Sequence, residues 1–154
     1  MVQQFQLDDE TVEHAHPVQP IVVDPDVSVR EVFEQFRRFG RGCLLVCRDE
    51  VLEGIFTERD ALKLMSSGAD LDIPIKQVMT APVVTLRSDD TVADAIQCMS
   101  LGGYRRLPIV DERLCPIGVL ETTGILHYLV EHFPRTIYNL PPSDRLVMQH
   151  REGA

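Results

Sequence analysis

No apolar run in this 154-residue chain approaches the ~20 residues of a membrane-spanning helix, which excludes that class of protein. Its first residues, Met-Val-Gln-Gln-Phe-Gln, carry neither a basic segment nor an apolar signal core, so the expectation is a soluble, cytoplasmic protein. Cationic side chains are in deficit: 15 Lys and Arg face 24 Asp and Glu, for a net charge of −9 and a pI near 4.9. That balance argues against nonspecific binding to nucleic acid or anionic membranes, which relies on basic surface. Four cysteines, Cys43, Cys47, Cys98 and Cys115, form no Cys-x-x-Cys pair and read as small core residues in a reducing compartment. No Ser/His/Asp, Cys/His or paired-carboxylate set falls in a recognisable motif, so catalysis is not expected. His14 and His16 form a His-x-His pair without a third ligand nearby in sequence, and no metal site is assigned to them.

What the chain does have is apolar content, 44%, which argues against disorder. Its length suits one compact domain or two very small ones sharing a core. It also repeats itself. Pro20-Ile21-Val22-Val23 matches Pro82-Val83-Val84-Thr85, and Ser28-Val29-Arg30-Glu31-Val32-Phe33 matches Thr91-Val92-Ala93-Asp94-Ala95-Ile96. Ser28 to Thr91 is 63 residues and Gly54 to Gly118 is 64, a drift that one loop insertion produces. A period this long exceeds the roughly 20–50 residues of solenoids and fits two small units, each a set of strands and helices.

The spacing predicts the same element order in both units. Residues 1–16 are acidic and aperiodic and read as a frayed arm. In unit one (17–68), 20–24 is a strand. A helix then starts at Ser28-x-x-Glu31, with Val29, Val32, Phe33, Phe36 and Phe39 on one face, and Gly40 and Gly42 end it. Runs at 43–47 and 51–56 are strands, and a helix covers 57–65. Residues 69–81 form a linker containing a helical turn. Unit two (82–133) repeats the pattern: strand 83–86, a helix capped by Thr91-x-x-Asp94, strands 106–110 and 117–121, and a closing helix 125–133. Residues 134–154, with Pro141-Pro142, form a tail that cannot continue that helix. The architecture is α/β, with β-α-β-β-α occurring twice.

The two units differ chemically where they should match. Gly54-Ile55-Phe56-Thr57-Glu58-Arg59-Asp60 recurs as Gly118-Val119-Leu120-Glu121-Thr122-Thr123-Gly124, with the threonine and aspartate lost. Thr57 and Asp60 have two readings. As a helix start, the hydroxyl caps an orphan N–H and the acid favours the dipole. As a ligand site, the free N–H groups suit phosphate and the carboxylate accepts from a ribose diol. Helix capping does not require the pair, because Thr122 or Thr123 can start the second helix with glycine at 124. Arg105-Arg106 likewise reads either as solvated arginines pairing with Asp111 or Glu112, or as the phosphate-facing half of the same site. Their counterparts in unit one are Gly42 and Cys43.

Three elements together resemble a tandem pair of cystathionine-β-synthase (CBS) domains, the Bateman module: Gly54-Ile55-Phe56-Thr57-x-x-Asp60, Arg105-Arg106-Leu107-Pro108-Ile109-Val110-Asp111, and Val78-Met79-Thr80-x-Pro82-Val83-Val84-Thr85. The resemblance covers residues 17–133. It implies two β-α-β-β-α units packed sheet to sheet about a pseudo-twofold axis, a homodimer, and a regulatory role through an adenosine-type ligand: AMP, ADP, ATP or S-adenosylmethionine. By the same resemblance Asp60 holds the ribose hydroxyls, Thr57 supports ribose or phosphate, Arg105 and Arg106 meet the phosphates, and Ile21, Gly42, Cys43 and Val119 surround the base. Glu121 and Gly124 depart from the pattern and imply a second cleft that is empty or differently occupied. A structural dimerisation module without nucleotide, and a small regulatory subunit holding a non-nucleotide ligand, are the alternatives.

Overall fold

The computed structural model describes residues 7–132. The first repeat starts with strand β1 (Val22–Val23), and helix α1 (Val29–Phe39) follows. Ser28 caps α1, its hydroxyl accepting the Glu31 N–H at 3.2 Å, and Gly40 ends it in the left-handed region at φ 61°. Strands β2 (Cys43–Arg48) and β3 (Val51–Thr57) form a hairpin that runs directly into α2 (Glu58–Ser66). The second repeat has β4 (Leu86–Arg87), α3 (Val92–Gly102), β5 (Arg106–Val110), β6 (Pro116–Glu121) and α4 (Thr122–His132). Thr91 caps α3 through the Asp94 N–H at 3.0 Å, and Gly103 ends it at φ 70°, so the caps repeat as the sequence does.

Each repeat builds a three-stranded sheet, β1-β2-β3 and β4-β5-β6, and in each the first pair is parallel and the second antiparallel. Even the irregularities recur: the register slips between Val46 and Cys47, and 63 residues on between Ile109 and Val110. One rung does not recur. Leu45 N–H donates to the Ile21 carbonyl at 2.8 Å, but its counterpart in the second sheet is Pro108, which has no N–H. Pairing of β4 therefore begins at Leu86, one position later than the Val22 start of β1. Both first strands, Val22–Val23 and Leu86–Arg87, are shorter than the expected 20–24 and 83–86.

The sheets meet through Leu45, Cys47 and Val119, all at most 5% exposed, with Val18, Leu52 and Ile55 around them. On the outer side of the first sheet, Phe56 packs between Phe33 and Phe36 of α1, with ring centroids 6.4 and 5.9 Å away. Phe39, expected on the same apolar face, is half exposed, its ring beneath the Arg38 guanidinium. The linker's helical turn is a 3-10 turn at Ile75–Gln77, and Ile75 is fully buried against the first repeat.

The expected frayed arm is corrected over residues 7–16. Val12 and Ala15 are fully buried in the second repeat's core with Leu86, Val92 and Tyr128, and Val12–His14 form a 3-10 turn. The acidic residues around them had masked two apolar positions three apart. This segment mirrors the linker: Thr11 bridges to Thr91 as Pro74 does to Ser28, and Val18 pairs with Val119 as Thr80 pairs with Ile55. The chain ahead of each repeat thus covers the other repeat. The expected tail, 134–154, and residues 1–6 lie outside the described residues.

Candidate functional site

A cavity of about 520 Å³ opens where the two repeats abut. The N-terminus of α2 forms one wall with Thr57, Glu58, Asp60 and Lys63. Thr80, Pro82, Val83 and Val84 of the interrepeat segment form the floor, and Tyr104, Arg105, Arg106 and Pro108 face α2 from the second repeat. Thr57, Asp60, Arg105 and Arg106, which the sequence reading placed together, do line one cavity.

Strand β3 delivers Thr57 as the N-cap of α2, and Asp60 falls one turn later. The Asp60 Oδ2 atom accepts the Thr57 N–H at 3.0 Å and its hydroxyl at 3.1 Å, while Oδ1 accepts the Thr80 hydroxyl at 2.9 Å. A carboxylate has about four lone-pair sites, so three are used and one on Oδ1 stays open. The Thr80 hydroxyl is a rotatable, solvent-exposed donor, so Oδ1 can be given over entirely to an incoming pair of hydroxyls. Capping and ligation are therefore compatible: one carboxylate oxygen does each.

Across the cavity Arg106 begins β5 and is only 25% exposed. Its Nε donates to Glu121 Oε2 at 3.1 Å, directly across the β5–β6 rung, and its Nη2 reaches Glu58 Oε1 at 3.4 Å. Arg105, just ahead of the strand, is exposed and has no ion pair among the described residues. Neither arginine pairs with Asp111 or Glu112. Below them the Cys43 thiol is pushed up to about 11, chiefly by burial; the Arg106 guanidinium opposes that and Glu121 adds to it. Cys43 is accordingly a neutral thiol at physiological pH.

The four residues read as a base pocket do not line this cavity. Cys43 and Val119 are buried, at 5% and 2% exposure, and Ile21 packs on the first repeat's core. Their counterparts 63 or 64 residues away do line it: Val84 for Ile21, Arg105 for Gly42, Arg106 for Cys43, and Ile55 for Val119. The sequence reading had placed all four beside the ligand held by Asp60; they are the repeat-related counterparts of residues that line the cavity. Sequence reasoning also passed over Thr80, Tyr104 and the Pro82–Val84 wall, although the proline at 108 was a usable signal. Without the Pro108 N–H, the Val84 carbonyl has no hydrogen-bond partner among the described residues.

On the pseudo-symmetric side, the chain's own N-terminal segment packs against α4 and β6. A Cβ at Gly124 would lie 2.7 Å from the Ala15 carbonyl oxygen, so glycine there permits close backbone approach. Arg41 donates to the Gln19 carbonyl, and His16 holds Glu131 at 3.0 Å, which laces this side together. His14 turns instead toward Glu10, 3.6 Å away, so the His-x-His residues have separate partners. Glu121 serves Arg106. Among the described residues, no group of three or more His, Cys, Asp or Glu is arranged to hold a metal ion. Nor is any described helix long and apolar enough to cross a membrane.

The CBS-domain model matches residues 10–67 and again 75–131. Among curated proteins, the chain is 31% identical over 111 residues to an uncharacterized 17.7 kDa protein of Acidianus ambivalens, covering 71% of this chain and 67% of that one. It is 36% identical over 117 residues to protein MK0525 of Methanopyrus kandleri, covering 71% of this chain and 59% of the relative's length. It is 31% identical over 103 residues to the CBS domain-containing protein YhcV of Bacillus subtilis, covering 66% and 74%. Among solved structures, CBSX2 in complex with AMP superposes with a TM-score of 0.68 at 26% identity, over 79% of this chain and 97% of that one. The CBS domain pair of protein MJ0100, in complex with 5′-methylthioadenosine and S-adenosylmethionine, superposes with a TM-score of 0.69 at 22% identity, over 76% and 97%, and speaks to the fold alone. Two matched segments, two mirrored sheets and one cleft between them agree: the chain belongs to the CBS-domain family and carries two such domains in tandem.

Proposed function

We propose that this chain is a regulatory module that binds one adenosine-type ligand, in the cleft lined by Asp60 and Arg105, and performs no catalysis. The observation that carries the reading is the Asp60 carboxylate, held by Thr57 and Thr80 with Oδ1 open to the cavity and Arg105 and Arg106 on the opposite wall. Asp60 accepts the ribose hydroxyls and Arg105 meets the phosphate, assisted by the α2 N-terminus. The base lies against Ile55, Pro82 and Val83, where the unpaired Val84 carbonyl accepts an exocyclic amino group. AMP in the CBSX2 complex supports the ligand class. Ligands tighten the two repeats against each other, and a partner protein in the cytoplasm reads the change.

The working unit is a homodimer. Leu62 on α2 and Leu126 on α4 are 64 residues apart, 68% and 61% exposed, and accompanied by Met65 and Val130. An apolar face repeated on both helices suits a twofold partner. The same face favours the second reading, a dimerisation module without ligand. Thermal shift with AMP, ADP, ATP and S-adenosylmethionine separates the two. A ligand at 100 times its Kd stabilises by about 2.7 kcal/mol. No shift with any of them at millimolar concentration would leave only the dimerisation reading.

A further inference from the structure

Glu58 stands where an incoming phosphate needs to be. It occupies the first turn of α2, and its carboxylate crosses from the first repeat to Arg106 of the second, 3.4 Å away. Gly42 makes the crossing possible, because a Cβ there would overlap the Glu58 carboxylate. Arg106 already has a settled partner in Glu121, which is 26% exposed and directly opposite it in the sheet. Glu58 is the loosely held member, with its side chain 64% exposed. Exposed ion pairs are worth little, roughly 0–1 kcal/mol, so this one yields readily to a competing anion.

We infer that Glu58 is a specificity-determining residue: it acts as an internal stand-in for a phosphate on Arg106 and limits the site to ligands of low phosphate count. The inference rests on the adenosine reading of the cleft. Arg105 and Lys63 line the cavity without ion pairs among the described residues and serve the first phosphate. A second or third phosphate extends toward Arg106, where two carboxylates already offset its charge. Displaced from Arg106, Glu58 still lies at the cavity rim and repels each added charge. Two unit charges about 4 Å apart in a water-like medium interact by about 1 kcal/mol, about five-fold in affinity. The site therefore favours adenosine 5′-monophosphate over the triphosphate.

Titration calorimetry with AMP and ATP on wild type and Glu58→Gln tests this. The wild type is expected to bind AMP more tightly than ATP, and the variant to narrow the ratio of the two Kd values about five-fold. Because Glu58 is exposed, the variant should retain the wild-type unfolding midpoint, which excludes a general structural effect. AMP binding with an unchanged ratio in Glu58→Gln, or a wild type that prefers ATP, would overturn the role of Glu58 while leaving the adenosine site standing. No heat with either nucleotide would overturn both.

Discussion

Replacing Gly124 with alanine gives a test whose sign depends on where the N-terminal segment lies. Gly124 is the third residue of α4, and in a helix alanine is better than glycine by about 0.5–1 kcal/mol. Opposing this, the new Cβ would fall 2.7 Å from the Ala15 carbonyl oxygen and 3.3 Å from that of His16. Both are backbone atoms that cannot rotate away. Their segment is pinned by the Val12 N–H to Asp90, at 2.9 Å, and by the paired bonds between Val18 and Val119, both 2.9 Å. Backing away would also uncover Val12 and Ala15, now fully buried. Overpacking of this kind costs about 1–3 kcal/mol, so Gly124→Ala should be destabilised by up to about 2.5 kcal/mol after the helix gain of about 0.5–1. With a urea m-value of about 1–3 kcal/mol/M, the unfolding midpoint falls by several tenths molar. A midpoint that rises would refute the docking of residues 15–16 against α4, because helix propensity would then be acting unopposed.

Three further outcomes follow from the packing and the cleft. Burial raises the Cys43 thiol from 9.0 to about 11, so its stabilising contribution is complete below pH 9 and is lost as pH climbs toward 11. Urea melts across that range should show wild type losing stability faster than Cys43→Ala. Pro108→Val restores an N–H opposite the Val84 carbonyl; we expect β4 to gain a rung and adenosine-ligand affinity to fall about five- to ten-fold by calorimetry, the worth of one hydrogen bond. Leu62→Glu combined with Leu126→Glu places charge on both exposed helix faces and should give monomer in sedimentation velocity, with each repeat's core intact.

The fold was largely legible because duplication reports itself. Caps at Ser28 and Thr91, left-handed ends at Gly40 and Gly103, and the two hairpins recur at a fixed spacing, and local sequence determines each. Thr57 and Asp60 stood out as departures from an internal reference, and both line the cavity. What could not be read was which of two equivalent clefts a position faces. Ile21, Gly42, Cys43 and Val119 satisfy the same spacing as Val84, Arg105, Arg106 and Ile55, and only the three-dimensional crossing of chain segments distinguishes them. The N-terminal segment was missed for a related reason. Val12 and Ala15 form too short an apolar pattern to register locally, and their burial depends on a partner surface some 80 residues away in sequence, where Asp90 and Thr91 receive them.

Glu121 illustrates a further limit. From sequence it read as a departure that implies an empty or differently occupied second cleft, and its pairing with Arg106 across the sheet was not read at all. Cross-strand pairing across a rung is invisible until the register is known.

We propose a single ligand site per chain, organised by Asp60. Titration of AMP into wild type and Asp60→Ala tests it most directly. One site per chain is predicted, with affinity lowered about 10–100-fold in the variant, the scale of one charge-assisted hydrogen bond at about 1.5–3 kcal/mol. Two sites per chain, or an unchanged affinity in Asp60→Ala, would contradict the account.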